Sequence, residues 1–180
     1  LEHIVDHVIE KHGCKTLNLV AGIENNVFSE NRIKAFKNSL KKHNLSFDKR
    51  RLFYGQFWEG PTSAGMKEFF NSGLPIPDAF ICCNDLMAMT VCSELYEHGY
   101  SVPKDVIVTG YDGIEFEHYS TPRLTTAKCN YETLGSLCFE NLVKIITGKK
   151  VPKHQTISPE LIFSESCGCQ NGFKSNHNNL

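Results

Sequence analysis

Polar and aromatic side chains that could bind a ligand stand directly after four apolar segments of the sequence. Carboxylates, amides and a guanidinium hydrogen-bond hydroxyl and amide groups, while aromatic rings offer apolar faces, so the set fits a small ligand such as a sugar or nucleoside. It does not favour catalysis, because no serine, cysteine or lysine stands there beside a histidine and no glycine-rich phosphate loop opens a helix. In chain order the four sets are Asn25, Asn26 and Arg32; Phe57 and Trp58; Asn84 and Asp85; and Tyr111 and Asp112.

Each of these residues also has a purely structural interpretation. Asn84 precedes a helical pattern and could be its N-cap, with Asp85 favouring the positive end of that helix. Asp112 could cap a turn, and an arginine on a helix face, such as Arg32, is usually solvated. Trp58 is the sole tryptophan and lies in a polar, glycine-flanked turn, which favours a binding platform over a core position.

Histidines and cysteines near the two ends raise the question of a metal. His3 and His7 have i, i+4 spacing, but with His12 nearby and no acidic partner a solvated helix face is favoured. Cys167 and Cys169 form a C-x-C pair, which is half of a structural zinc site without a second pair nearby in the sequence. We therefore expect incidental thiols, no metal and no cofactor.

Apolar segments that alternate with amphipathic ones indicate a parallel sheet covered on both faces, a doubly wound Rossmann-like layer. The carboxyl ends of parallel strands meet at one edge, where such sheets bind ligands. Strands are predicted in LNLVAG (17–22), RRLFYGQF (50–57), DAFICCN and VPKDVIVTGYD, with an extended LTTAKC and a last edge strand interrupted by Pro159.

Helix boundaries follow from caps and periodicity. The first helix is predicted to end at Gly13, the second to start at Ser29, and the third at Thr62 or Ser63. A long helix over 131–147 is predicted to pack through Leu134, Leu137, Leu142, Ile145 and Ile146.

Composition narrows the class of protein. The 180 residues are 41% hydrophobic and 22% charged with a net charge of -1, which is ordinary for a globular protein and gives no basic excess for nucleic-acid contact. No apolar run approaches the roughly 20 residues of a membrane helix, and no secretory signal opens the chain. Cys82 and Cys83 lie inside an apolar strand, which favours reduced thiols and a cytoplasmic location.

The sequence starts with LEHIVDHVIEKHGCK, which has no initiator methionine and is already in helical period. Ile4, Val5, Val8 and Ile9 share one face, and no capping residue precedes Leu1. We expect a part of a longer polypeptide.

Several motifs of the chain occur together over residues 1 to 169. They are NRIKAF, PDAF, CNDLMAM, YSVPKDVIVTGYD, TPRLTTAK and ELIFSESCGC. Together they resemble the effector-binding domain of the LacI/GalR family of bacterial regulators, whose pattern is P-D-A before a strand, N-D-x-M-A, V-P-x-D before a strand ending in G-[FY]-D, then P-x-L-T-T and E-S-C-G.

The resemblance implies the periplasmic-binding-protein-like type I fold, in which two Rossmann-like subdomains close on a ligand. Residues 1–169 would then be mainly the second subdomain, and 170–180 a polar tail or linker. The helix over 131–147 would belong to a first subdomain that this sequence lacks, so it must pack elsewhere, swap between chains or remain exposed. A homodimer is expected, with nucleic acid bound only through a domain absent from this chain.

The resemblance also implies site residues. Arg32, Asn84 and Asp112 match the family's effector contacts, and Phe57 or Trp58 matches its ring-stacking position. The turn FWEGPTSAG is longer than the family's, which leaves the choice of aromatic open.

The function implied is that of a small-molecule sensing module of a transcriptional regulator, not an enzyme. One alternative is the same sensor module in a signalling protein, a diguanylate cyclase or a histidine kinase. The other is a sugar or nucleotide hydrolase on a Rossmann-like sheet.

Overall fold

The computed structural model of the protein describes residues 1–114 and 120–169, so the predicted tail over 170–180 lies outside the described residues. Its centre is a four-stranded parallel sheet in the order β2-β1-β3-β4. The strands are β1 (Leu17–Ala21), β2 (Leu52–Tyr54), β3 (Ala79–Cys82) and β4 (Ile107–Thr109).

Helices connect these strands and cover the sheet. They are α1 (Glu2–His12), α2 (Val27–Lys42), α3 (Glu59–Asn71) and α4 (Asp85–Glu97). The crossover through α2 runs from β1 outward to β2, whereas the crossover through α4 runs from β3 outward to β4 on the other side. Because such crossovers are right-handed, α2 and α4 lie on opposite faces, and the predicted doubly wound layer is confirmed.

Burial follows the sequence pattern. All five residues of β1 are buried, as expected for a central parallel strand covered on both faces. Ile4, Val5 and Val8 of α1 are fully buried, and the helix ends at Gly13 in a left-handed conformation, as predicted.

Two helices start earlier than predicted. Helix α2 begins at Val27, because Asn26 and not Ser29 is the N-cap: its side chain accepts a hydrogen bond from the Phe28 N–H. Helix α3 begins at Glu59 after Trp58, without a side-chain cap, and not at Thr62 or Ser63.

The last segments extend the sheet beyond β4. Strand β5 (Thr126–Lys128) pairs antiparallel with β6 (Glu160–Ile162), which starts after Pro159. Thr109 forms a parallel bridge to Thr125, and Asp112 another to Lys128. Residues 125–128 therefore lie beside the end of β4 and the residues that follow it.

Helix α5 (Tyr131–Ile146) has no buried residue. Phe139 is 68% exposed and Ile146 is 74% exposed, although the sequence of the helix is amphipathic. The prediction that Leu134, Leu142, Ile145 and Ile146 pack is therefore wrong for this chain, since all four are exposed, and Leu137 is only half-buried. Of the three expectations for this helix, packing against the rest of the described chain is therefore not met, and swapping between chains or remaining exposed stay open.

Among the described residues, no helix has the length and apolarity that crossing a bilayer requires.

Candidate functional site

The candidate site lies where the strand connections diverge. Strands β1 and β3 are neighbours, yet β1 leads outward to β2 and β3 leads outward to β4. Beyond their carboxyl ends, this divergence leaves the crevice in which open α/β sheets bind ligands. The Arg32 side chain extends from α2 to this edge, where its guanidinium donates a 2.7 Å hydrogen bond to the Cys83 carbonyl after β3.

Arg32 also forms an ion pair with Asp112, which follows β4. Their closest atoms, Nη2 of Arg32 and Oδ1 of Asp112, are 3.3 Å apart, and the two side chains are 20% and 28% exposed. Burial raises the pKa of the Asp112 carboxyl above its usual value, and the charge of Arg32 only partly offsets this. The contact is long for a charge-assisted hydrogen bond, so each partner retains bonding capacity for a ligand.

Two aromatic rings enclose the guanidinium. The Cζ atom of Arg32 lies 4.4 Å from the centroid of the Tyr111 ring and 5.5 Å from that of the Phe57 ring. Both distances are in the range of cation–π attraction. The sequence places Tyr111 at a strand end but does not select it as a site residue, because spacing does not reveal which way a ring points.

The backbone at this edge is held in uncommon conformations. Phe57 has φ +59° and Asp112 has φ +106°, both in the left-handed region that non-glycine residues rarely occupy. The Asp112 N–H donates to the Ala127 carbonyl, and the Asp112 carbonyl accepts from the Cys129 N–H, which fixes the peptide units on both sides. Strained residues that are fixed in this way are typical of binding sites.

Asn84 joins the site through its amide. Its Oδ1 caps α4 by accepting from the Met87 N–H at 2.9 Å, which confirms the capping interpretation. Its Nδ2 donates to the Phe57 carbonyl at 3.2 Å, so Asn84 also fixes the turn that carries the Phe57 ring. One amide hydrogen and further acceptor capacity of Asn84 remain for a ligand.

Trp58 does not join the others. Its side chain is 63% exposed, and its backbone carbonyl accepts from the Thr62 hydroxyl at the start of α3. Of the two aromatics predicted for one stacking position, Phe57 is the one beside Arg32.

Asp85 is the buried carboxylate that positions this edge. It is fully buried, its Oδ1 accepts from the Thr126 hydroxyl at 2.6 Å, and its Oδ2 accepts from the Ile114 N–H at 2.9 Å. A side chain at position 110 would collide with it, because a Cβ on Gly110 would lie 2.1 Å from Oδ1. The carboxylate of Asp85, in the motif N-D, therefore contacts both Gly110 of G-Y-D and Thr126 of L-T-T.

A second set of hydrogen bonds links E-S-C to the same edge. The Ser166 hydroxyl donates to the Val108 carbonyl at 2.6 Å and accepts from the Thr125 N–H at 2.8 Å. Arg123 and Glu165 pair through two side-chain hydrogen bonds of 2.9 and 2.6 Å. These bonds fasten the segment after β6 to β4.

The thiol of Cys83, whose backbone carbonyl accepts from Arg32, is unsuited to nucleophilic chemistry. Burial raises the pKa of Cys83 to about 12, so the thiol stays protonated at neutral pH. Burial also raises the pKa of Cys129, beyond Asp112 in the chain. The site therefore offers hydrogen bonds and ring faces for binding.

A separate group of side chains lies at the end of α1. His7, His12, Cys167 and Cys169 each have a nitrogen or sulfur atom within 4.8 Å of those of the other three. In the sequence the two thiols have no second pair of ligands nearby, whereas in the fold both histidines are next to them. His3, which shares i, i+4 spacing with His7 in the sequence, does not belong to this group.

A second candidate group, Asp6, Glu10 and His43, is already engaged by a cation. Lys42 pairs with Asp6 at 2.7 Å and with Glu10 at 3.5 Å.

An apolar groove of about 580 Å³ runs along the outer side of α4 and shares no lining residue with the Arg32 site. Its walls include Met89, Cys92 and Tyr96 of α4 and Pro122. Tyr96 is 79% exposed, which is unusual for so large an apolar ring.

Comparison with known proteins gives a family-level match. Residues 5–167 match the model described as the periplasmic binding protein-like domain. The HTH-type transcriptional repressor PurR of Vibrio vulnificus is 29% identical over 166 residues, which is 92% of this chain and 48% of the repressor. The chain thus spans about half the length of the curated relatives it matches.

Solved structures share the fold. The transcriptional regulator CelR in its cellobiose complex superposes with a TM-score of 0.81 at 26% identity, over 90% of this chain and 49% of CelR. A dimeric Lac repressor with a C-terminal deletion gives a TM-score of 0.84 at 24% identity, over 92% of this chain and 59% of the repressor. The resemblance and the fold class expected from the sequence are confirmed.

Proposed function

Because the chain belongs to the periplasmic binding protein-like domain family, as the match over residues 5–167 shows, we propose that it is the effector-sensing part of a LacI/GalR-type transcriptional regulator. In this proposal the chain binds a small metabolite and performs no chemistry on it. The regulator would be cytoplasmic and would bind DNA through a domain that is not in this sequence.

The observation that carries the proposal is the half-buried ion pair between Arg32 and Asp112 at the carboxyl edge of the sheet. A hydroxyl group can donate to the Asp112 carboxylate and accept from the Arg32 guanidinium at once, so a polyhydroxylated ligand suits the pair. The rings of Phe57 and Tyr111 beside Arg32 offer apolar faces to a sugar or base ring. Asn84 supplies an amide that can donate and accept.

The class of effector follows from these groups. One positive and one negative side chain cancel, which favours a neutral or weakly charged ligand. A sugar or a nucleoside meets these requirements, and the cellobiose complex of CelR is consistent with the first.

Helix α5 supports the proposed domain organisation. Its exposed apolar side chains require a cover in water, and a first subdomain would supply one. Residues 1–169 would then form mainly the second subdomain, with 131–147 packing on the first.

Allosteric control would follow from closure of the two subdomains. An effector that binds the closed state more tightly shifts the population toward it, and its differential affinity sets the size of the effect on DNA binding. A homodimer would transmit this change between the two copies.

The test starts with a thermal-shift screen of the complete protein against monosaccharides, disaccharides, nucleobases and nucleosides. Calorimetry on any stabilising compound then compares the wild type with Asp112→Ala. A hydrogen bond to a charged group contributes about 1.5–3 kcal/mol, so the loss of one should weaken binding by about tenfold to 150-fold.

Asp105→Ala is the matched control, since Asp105 is an exposed carboxylate that accepts from the Ser101 N–H. It should leave the affinity unchanged. Equal affinities for the wild type and Asp112→Ala would refute the assignment of the site.

A further inference from the structure

The geometry points to a structural zinc site formed by His7, His12, Cys167 and Cys169, which would fasten the segment after β6 to helix α1. This inference is independent of the proposed sensor function, because none of the four residues contacts Arg32 or Asp112 in the described part of the chain.

The distances between the ligand atoms agree with a tetrahedron around zinc. Zinc–nitrogen bonds of about 2.0–2.1 Å and zinc–sulfur bonds of about 2.3 Å require edges of about 3.4 Å between nitrogens and about 3.6 Å between nitrogen and sulfur. Nε2 of His7 and Nε2 of His12 are 3.1 Å apart. The Cys169 sulfur is 3.5 Å from each of these nitrogens, and the Cys167 sulfur is 3.7 Å from that of His7.

Local structure holds the histidine pair in place. His7 and His12 lie on the last turns of α1, and their rings are 5.0 Å apart between centroids. The His7 ring stacks on Phe163 with centroids 3.7 Å apart, which sets the direction of its nitrogen. A ring whose orientation is fixed by packing is prepared to bind a metal.

A tight turn holds the cysteine pair. Gly168 between them has φ +88°, and its N–H donates to the Glu165 carbonyl at 2.8 Å. The Cys169 N–H donates to the Ser164 carbonyl at 3.1 Å. Cys167 is buried and Cys169 is half-buried, so a metal ion can reach the site from the Cys169 side.

The donor set identifies the metal and its role. Two thiolates and two imidazoles favour zinc over magnesium or calcium, which prefer oxygen. The two thiolate charges cancel the charge of the ion, so the half-buried site becomes neutral. Four protein ligands leave no open position, which is typical of a structural site and not of a catalytic one.

The position of the ligands defines what the metal would do. The histidines and cysteines are 155 to 162 positions apart in the chain. A metal that joins them closes a loop of nearly the whole described chain and fixes Cys169 against helix α1. Binding therefore stabilises the folded state, because the unfolded chain has no preformed site.

The test is a cobalt titration of the chain under reducing conditions, since Co²⁺ reports tetrahedral coordination and thiolate ligands in its absorption spectrum. We expect one Co²⁺ per chain, intense visible bands, thiolate-to-metal charge transfer, and displacement of Co²⁺ by Zn²⁺. Mutation of a residue that only orients a metal ligand costs about 10–100-fold in metal affinity. Cys169→Ser and His12→Gln change a ligand itself, so each should weaken binding at least that much.

Matched controls come from the same chain. His3→Gln removes an exposed histidine of α1, and Cys138→Ser removes the exposed thiol of α5. Both should bind Co²⁺ as the wild type does, and circular dichroism should show that all four variants are folded. Absence of binding, an octahedral spectrum, or binding that Cys169→Ser and His12→Gln leave unchanged would overturn the inference.

Discussion

Replacing Asp85 with alanine should destabilise the fold and release the loop that carries Asp112. The carboxylate is fully buried and accepts from the Thr126 hydroxyl and the Ile114 N–H. Alanine leaves the buried Thr126 hydroxyl and the partly buried Ile114 N–H without these acceptors, and each costs about 1–3 kcal/mol, so the free energy of unfolding should fall by about 2–6 kcal/mol.

Asp85→Asn should be milder because the amide keeps both bonds. Its oxygen can accept from the Ile114 N–H, and the Thr126 hydroxyl can rotate to accept from the amide nitrogen. Only the charge assistance is lost, about 1 kcal/mol for each bond, which gives about 2 kcal/mol in total. The expected order of stability is wild type, then Asp85→Asn, then Asp85→Ala.

Urea unfolding followed by far-ultraviolet circular dichroism measures the effect, and the exposed Asp105→Asn provides the control. In a two-state transition a lower midpoint at constant slope reports lost stability. If Asp85→Ala unfolds within about 0.5 kcal/mol of the wild type, the carboxylate does not hold the site edge. An equal loss in both Asp85 variants would contradict the role given to the Thr126 hydroxyl.

Three further predictions concern other parts of the chain. Hydrogen bonds from its arginine partner lower the pKa of Glu165 in the folded state, so between the folded and the unfolded pKa the unfolded chain binds more protons. The stability that Glu165→Gln removes should therefore be present above the ordinary carboxyl pKa and disappear as the pH falls through the folded pKa. Urea midpoints of the wild type and the variant across acid pH would measure this. The chain taken alone should self-associate through the exposed apolar side chains of α5, and Leu142→Glu with Ile145→Glu should shift it to monomer in sedimentation velocity; a wild-type chain that already sediments as a monomer would contradict this prediction. Phe57→Ala should weaken effector binding more than about tenfold while Trp58→Ala leaves it unchanged, and calorimetry giving the reverse order would assign stacking to the tryptophan.

Much of the fold could be predicted from the sequence because period and caps are local properties. The apolar run of β1, the left-handed Gly13 and the alternation of strands with helices all act within a few residues. The predicted start of α2 is wrong because Asn26 and Ser29 are both good N-caps, and only the backbone course selects Asn26.

Side-chain direction and distant contacts were less predictable. Spacing placed Arg32 and Asp112 at one edge, but it could not show the Tyr111 ring over the guanidinium. The four residues of the proposed zinc site lie near opposite ends of the sequence, so each pair considered alone had no partner. Helix α5 carried a correct amphipathic pattern, yet the apolar face it predicts has no cover within the described chain.

The most direct measurement is a crystal structure of the complete protein with an effector found by the screen. An effector hydroxyl should lie within hydrogen-bond distance of the Asp112 carboxylate and the Arg32 guanidinium, with a ring of the effector against Phe57 or Tyr111. An effector bound elsewhere, with the 3.3 Å contact between Arg32 and Asp112 intact, would contradict the assignment.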